Sequence, residues 1–277
     1  MSSKKLQKYE LEELSTHLPF RVLNPHEAQK FYDVRLYKTE PGLEPFVQLY
    51  WVMRWNLAPD ESFAAEVIPS AYTNFTCMPG GPRITGVTTG LYRYTVQGSG
   101  TIFGVMFKPG GFAPFYDKPL SHMTDTFIPT VRVFEGATDA FNERVLQSDD
   151  ETGITLMTNL LLQKNPKNDS NITLVNRIIE RSQSEQVITV AELAKEFSMH
   201  ERSLQKLFTS YVGVGLKWIM LRNRLQSAAF LAESLEAPHW TQIAQDLGYS
   251  DQSHFINDFK RIAGMTPRQY ASILYRK

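Results

Sequence analysis

The chain of 277 residues contains only one cysteine, Cys77, which excludes a disulfide framework and a cysteine-rich zinc site. Because Cys77 lies in an apolar run, we predict a buried structural thiol. No histidine lies between Val34 and Tyr116, so this segment has no imidazole to offer a metal. We therefore predict no catalytic residue, no metal site and no cofactor. The six histidines are His17, His26, His122, His200, His239 and His254.

Long apolar runs are also missing: none approaches the ~20 residues that span a bilayer. Residues 1–5 lead into polar and charged residues, so we expect no signal peptide, no membrane partner and a cytoplasmic location. The chain has no net charge, with 29 Lys+Arg against 29 Asp+Glu. Residues 171–277 carry 13 Lys+Arg and 10 Asp+Glu, a net +3, so the first 170 residues carry −3. This basic bias is mild for a nucleic-acid binder.

The first half of the chain is β-rich. From Val34 to Lys108, short aromatic and β-branched runs alternate with Pro-Gly turns, which predicts an antiparallel barrel or sandwich. Helices are predicted over 134–146 and 154–163. The strands are expected at 46–52, 63–68, 72–78, 91–96 and 101–107.

A polar segment, 164–170, separates this region from a second one in which every predicted element is helical. We predict a β-rich sensor or dimerisation domain over residues 1–165 and an all-helical domain over 171–277.

The second region contains the same pattern twice. Leu204–Phe208 runs into Gly213, and 51 residues later Phe255–Lys260 runs into Gly264. Upstream, Leu193-Ala194 and Ile243-Ala244 occupy equivalent places. Two matching helical units suggest a module that contacts something periodic, and the major groove of DNA recurs every ~34 Å.

In the first unit, Thr189 and Glu192 form a predicted capping box, and Ser198 with Glu201 forms a second one a turn later. Two helix starts separated by one short turn are typical of a helix-turn-helix. Leu204, Leu207, Phe208 and Tyr211 share the core face of the second helix. The opposite face could be a solvated surface, but in this context its donors suit a groove-reading helix. They are Arg202, Gln205, Lys206 and Thr209.

The second unit begins near Thr241, with Gly248 as a predicted C-terminal cap and Ser250 as the cap of the next helix. Ile256 on the outward face could meet a thymine methyl or contact another part of the protein. A helix over 216–231 joins the units and spans roughly 24 Å. The outward residues of the second unit are Gln252, Ser253, Ile256, Asn257 and Lys260.

The run Gly248-Tyr249, Ser253, Phe255, Phe259-Lys260, Gly264, Thr266-Pro267 and Tyr270 resembles the signature of AraC/XylS-type transcription regulators. The resemblance covers about 90–100 C-terminal residues. It implies a seven-helix domain that reads double-stranded DNA with two helices in successive major grooves. By position, the resemblance implies that the base-facing residues are Arg202, Gln205 and Lys206 in the first unit, and Gln252, Ser253, Ile256 and Asn257 in the second.

Two positions depart from that signature. Asn257 stands where the family often has Arg, and residues 213–216 lack the proline usual after the first unit. These departures suggest that the second unit binds mainly phosphates, through Lys260, Arg261 and the N-terminus of its helix.

The β-rich region is similar to a cupin-like regulatory domain, which completes a two-domain α+β fold: a cupin-like barrel plus helices, then two helix-turn-helix motifs joined by a linker helix. In this family such a domain commonly senses an effector or dimerises. A homodimer, a small-molecule effector and, for an activator, RNA polymerase are therefore candidate partners. A protein-interaction adaptor and an enzyme with a helical appendage remain alternatives. Aromatic residues that could line an effector pocket, or simply form the core, are Trp51, Trp55, Tyr72, Phe75 and Phe107.

Overall fold

A computed structural model describes residues 21–22, 28, 30–184, 188–233, 235 and 238–274. His17 and His26 lie outside the described residues. The strands are β1 (Arg21–Val22), β2 (Tyr32–Tyr37), β3 (Val47–Asn56), β4 (Ser62–Ile68), β5 (Asn74–Cys77), β6 (Arg83–Thr85), β7 (Tyr92–Gln97), β8 (Ser99–Phe107) and β9 (Phe127–Pro129).

These strands form two antiparallel sheets rather than one closed cylinder. The larger sheet has the order β2-β3-β8-β5-β6-β9, and the smaller one has the order β1-β4-β7. In the described residues, ladders run only within each sheet, so the cupin-like barrel is not closed, and the arrangement fits the sandwich alternative of the sequence prediction. One edge strand of each sheet is short: β1 has two residues, and β9 has three and ends at Pro129, which lacks an N–H for a further ladder.

The larger sheet is buried on both faces because successive side chains of β3 and β8 alternate across it. Tyr50 and Val52 point into a core shared with the helices α1 (Asp139–Leu146) and α2 (Asp150–Gln163). Met53 and Trp55 face the smaller sheet instead. Cys77 is fully buried, and burial raises the pKa of its thiol to about 12, which confirms the predicted structural thiol.

Two tryptophans of β3 cover glycines of β8 at paired positions. Trp51 is in register with Gly104 and Trp55 with Gly100. A Cβ on either glycine would lie under 3.0 Å from the indole, so each ring rests directly on the neighbouring backbone. Both side chains are therefore part of how the sheet packs.

Asp150 ties the first turn of α2 to the larger sheet. Its carboxylate pairs with Arg54, accepts from the Tyr37 hydroxyl, and lies 3.4 Å from Nη1 of Arg35. Burial opposes ionisation of Asp150, but the hydrogen bonds and charges of Arg54 and its neighbours prevail and lower its pKa. The ionised form of Asp150 thus stabilises the docking of α2.

The remaining helices form the C-terminal region. In the described residues they are α3 (Ser170–Ser182), α4 (Val190–Glu196), α5 (Glu201–Tyr211), α6 (Leu216–Glu233), α7 (Trp240–Asp246), α8 (Gln252–Ala263) and α9 (Pro267–Leu274). No helix among the described residues is both long and apolar enough to cross a membrane. The division into domains 1–165 and 171–277 stays a prediction.

Helix α6 joins two separate apolar cores. Its first half packs Leu216 and Ile219 with α3, α4 and α5. Its second half packs Leu225 and Ala229 with α7, α8 and α9. The predicted linker helix is confirmed, and it runs two residues further than expected, to Glu233.

Candidate nucleic-acid interface

The first helical unit consists of α4, a short turn and α5. The capping box at its start is confirmed: Glu192 N donates to Thr189 Oγ1 at 3.2 Å, and Thr189 N donates to Glu192 Oε2 at 2.7 Å. The predicted second box is wrong. Ser198 has a φ of +54° and lies in the turn, while His200 is the N-cap residue of α5 and makes no side-chain capping bond. Ser198 therefore belongs to the turn between the two helices, and the predicted position of the cap is two residues too early.

Helix α5 has one buried side and one exposed side, as its periodicity predicts. Leu204 and Phe208 are fully buried in the first core. The side chains of Arg202, Gln205 and Lys206 are all exposed. Two cations and an amide on one exposed face can donate to phosphates and to base edges.

Thr209 differs from the other predicted contacts on α5. It is half-buried, and its hydroxyl lies 2.9 Å from the Gln205 carbonyl and 3.1 Å from the Lys206 carbonyl. Because this hydroxyl hydrogen is directed at the preceding turn, Thr209 can offer a partner mainly its methyl group and its oxygen lone pairs. A base contact by Thr209 remains a prediction.

The second unit repeats this arrangement with α7 and α8. Gly248 has a φ of +78° just after α7, as expected of a left-handed C-terminal cap. The cap of α8 is Asp251 rather than the predicted Ser250, since Asp251 Oδ1 accepts from Ser253 N at 2.9 Å.

The identity of this cap changes the chemistry of the second unit. The Asp251 carboxylate already accepts from Ser253 N and places a negative charge at the N-terminus of α8, which disfavours a phosphate there. In addition, Arg261 Nη2 lies 2.9 Å from Asp258 Oδ1. Of the three phosphate-binding features proposed for this unit, Lys260 alone forms no ion pair within the part of the chain that the structure describes.

The outward face of α8 carries the predicted set, with one exception. Gln252, Ser253 and Asn257 are exposed, and so is Lys260. Ile256 is half-buried and packs against the second core. The sequence left two alternatives for Ile256, a thymine methyl contact or a contact with another part of the protein. The structure shows a contact with the protein.

A network centred on Asp258 was missed by the sequence reasoning. Asp258 is 8% exposed and accepts from the Tyr249 hydroxyl at 3.1 Å. His254 Nε2 lies 3.3 Å from the same carboxylate, and the guanidinium of Arg224 stacks over the Tyr249 ring. Burial and the charge of Asp258 raise the pKa of Tyr249 to about 12. The spacing of His254, Asp258 and Arg261 along one helix was a signal that could have revealed part of it.

The five aromatic residues considered for an effector do not surround one pocket. Phe75 and Phe107 are fully buried in the core that faces α1 and α2. Trp51 and Trp55 cover glycines on the opposite side of the sheet. Tyr72 lies near Arg222 of α6, and burial raises the pKa of its hydroxyl while the guanidinium acts in the opposite direction.

An open groove of about 410 Å³ lies elsewhere, between α1 and α2, and shares no residue with this aromatic set. Its lining includes Arg144, Asp149 and Thr152. Effector binding by the five aromatic residues therefore remains a prediction.

Two known families match separate parts of the chain. Residues 193–272 match a family described as a helix-turn-helix domain, which spans α4 to α9. Residues 35–129 match a domain of unknown function, DUF6597, which spans β2 to β9. The two matches thus fall on either side of α1 and α2.

Similar proteins match about a third of the chain. The probable transcriptional regulator LumQ of Photobacterium leiognathi is 34% identical over 100 residues, which are 36% of this chain and 40% of that protein. The putative HTH-type transcriptional regulator YkgA of Escherichia coli is 31% identical over 86 residues, 31% of this chain and 36% of that protein. The chain thus spans less than half the length of these relatives. The C-terminal domain of the response regulator yesN of Fusobacterium nucleatum is a similar solved structure, at 26% identity and a TM-score of 0.33, covering 37% of this chain and 99% of that one.

Proposed function

We propose, on the premise that residues 193–272 form a helix-turn-helix domain of the AraC type, that the protein is a sequence-specific DNA-binding transcription regulator. The observation that carries the proposal is the pair of anchored helices, α5 and α8. Each buries aromatic residues in its own core and exposes a polar face. Such a face can enter a major groove, while the core behind it fixes its orientation.

The two units are proposed to contribute unequally. The exposed face of α5 has two cations and an amide, which suit guanine edges, phosphates and adenine. The exposed face of α8 has Lys260 beside neutral polar side chains, a second cation, Arg261, that lies 2.9 Å from Asp258, and an acidic cap at its N-terminus. We expect α5 to supply most of the base discrimination and α8 to add neutral polar contacts through Gln252, Ser253 and Asn257.

The proposed partners follow from this reading. Double-stranded DNA is the first, and a DNA-binding regulator belongs in the cytoplasm of a bacterial cell such as those of its relatives. The β-rich domain is proposed to sense a small molecule or to dimerise, and RNA polymerase is a partner if the protein activates transcription. The regulators named above support a regulatory role rather than an enzymatic one.

In vitro selection from random DNA tests the proposal. We expect the purified full-length chain to enrich a motif of two short blocks about ten base pairs apart. A motif with one block would restrict base reading to one unit. Enrichment of no sequence over bulk genomic competitor at moderate salt would contradict the proposal.

Substitutions on α5 then test the face assignment. Gln205→Ala or Lys206→Ala is expected to cost about 1–3 kcal/mol of binding at the selected site if the residue makes a bidentate base contact. Glu201→Ala, on the same helix, is the matched control for altering an exposed side chain. Unchanged affinity and unchanged base preference in both test variants would show that this face does not read DNA.

A further inference from the structure

One short segment of the β-rich region contacts both helical units and the helix that joins them. It runs from Ile68, the last residue of β4, to Ala71, and it leads from the smaller sheet to the larger one. Ile68 is buried in the second core, and Ala71 is buried in the first. Between them, the Pro69 carbonyl accepts from Nε of Arg222 at 2.7 Å. Four consecutive residues therefore reach the second unit, the linker helix and the first unit.

Two further contacts of the β-rich region, made by Leu91 and Thr124, reach the same two helical units. Leu91 packs against the second core, and a Cβ on Gly264 would lie 3.5 Å from it. In the first unit, Thr124 Oγ1 donates to the Gly213 carbonyl at 2.7 Å, at the turn that follows α5. The β-rich region thus touches each helical unit near the C-terminal end of its groove-facing helix.

These contacts matter because α6 is the helix that joins the two cores. On that helix Leu216 and Ile219 are buried in the first core and Leu225 in the second, with Arg222 between Ile219 and Leu225, and Trp218 packs against both cores. A lone helix sets the distance between two bodies, but it bends gently with its surroundings. The DNA duplex fixes how its two blocks are rotated relative to each other. One added base pair rotates the second block by roughly 35°, because a turn takes about 10–10.5 base pairs.

Arg222 is well suited to lock this junction. It is 5% exposed although it is charged, and its Nη1 donates to Asn223 Oδ1 at 3.1 Å. Burying a charged donor without an acceptor is costly, so moving Pro69 away from α6 would take from Arg222 Nε the acceptor that it now has. The bond therefore resists a hinge motion at the middle of the linker helix.

We infer that the segment 68–71, held to α6 by Arg222, fixes the separation and rotational phase of α5 and α8, and thereby sets the spacing between the two DNA blocks that the protein accepts. Arg222 is in this view a positioning residue that does not touch DNA. The inference rests on the proposed function and deepens it, because it assigns spacing specificity to the β-rich domain as well as to the linker helix.

The test measures spacing tolerance with the full-length chain. The selected operator is rebuilt with one or two base pairs inserted or removed between its blocks, and affinities are compared with that for the original spacing. We expect the native protein to lose roughly tenfold for one inserted base pair, similar to the cost of one mismatched contact. Arg222→Met keeps the unbranched apolar stem but cannot donate to Pro69, and it should reduce this penalty to about threefold or less.

A second variant and a control make the result decisive. Leu91→Ala weakens the contact at the second unit from a half-buried position, so it is expected to fold even if Arg222→Met does not, and it should also broaden the spacing profile. Arg177→Met is the control, because Arg177 is exposed and stacks on Phe197 within the first unit. It removes the same charge and should leave the profile as narrow as in the native protein.

The outcomes separate this inference from the proposed function. If the native protein selects no sequence, the proposed function fails. If it selects two blocks and both test variants keep the native spacing penalty, the inference alone is overturned. A one-block motif also overturns it, since no spacing would then be read.

Discussion

The packing of Trp51 on Gly104 gives a prediction that separates a structural tryptophan from a ligand-binding one. Gly104 lies in β8, which is paired on both sides, with β3 and with β5. A methyl group added there would lie under 3.0 Å from the Trp51 indole. Because the two residues face each other in register, neither backbone can move away without disturbing the ladder.

The magnitude follows from two opposing effects. Overpacking a well-filled site costs about 1–3 kcal/mol. Replacing glycine by alanine also lowers the conformational entropy of the unfolded chain, which stabilises the folded protein by about 0.4–1 kcal/mol. We therefore expect Gly104→Ala to lower the free energy of unfolding by about 1–2 kcal/mol, or the melting temperature by about 2–8 °C. Gly90→Ala is the matched control, because no atom lies within 4 Å of a Cβ built there.

A double-mutant cycle monitored by thermal unfolding tests the cause of the loss. In a Trp51→Ala background the added methyl group has room, so Gly104→Ala should be neutral or slightly stabilising, which corresponds to a coupling energy of about 2 kcal/mol. An equal loss in both backgrounds would refute the proposed contact. It would also favour an indole available to an effector.

Three further predictions concern the second helical unit, the docking of α2 on the larger sheet, and the turn between α4 and α5. Asn257→Arg should strengthen DNA binding and steepen the dependence of log K on log salt by about 1 if the new cation reaches a phosphate, and an unchanged slope in a salt titration would show that α8 lies away from the duplex. Asp150→Asn should lower stability by about 1.5–3 kcal/mol near pH 7, the range for hydrogen bonds to charged groups. Because the folded-state pKa of Asp150 is lowered, its contribution is complete above the unfolded value of about 3.9 and is lost as pH falls through the folded value. Urea unfolding of both proteins across that acidic range should therefore converge, and curves that stay parallel would count against the ionised pair. Ser198→Gly should stabilise the protein by about 1 kcal/mol, because Ser198 has a φ of +54° that glycine adopts without strain, and a loss in denaturant unfolding would show that its hydroxyl has a capping role after all.

The local features of the helical region could be predicted from the sequence. The capping box of Thr189 and Glu192, the left-handed Gly248 and the buried side of α5 depend on residues within one or two turns of each other. Their periodicity and capping chemistry depend on residues that are close together in the sequence. For the same reason the exposed positions of Arg202 and Gln205 agree with the predicted face.

Two cap assignments failed because adjacent residues compete for the same role. Ser250 and Asp251 can both cap α8, and the choice depends on the backbone angles at which the turn after Gly248 enters the helix. Ser198 is similar, since the turn uses it as a left-handed residue and leaves the cap position to His200. Only the packing of the two helices against each other sets those angles.

The sequence by itself therefore determined two helical units with matching cores, a helix joining them, and a β-rich region ahead of them, because hydrophobic periodicity and turn residues act over short distances along the chain. The tertiary structure decided that the sheets stay open, that Ile256 is half-buried, and that Arg222 is buried against Pro69 of the β-rich region. Pro69 and Arg222 are 153 positions apart, and no periodic pattern connects residues at that separation. Contacts of this kind arise only when both domains have folded and been brought together.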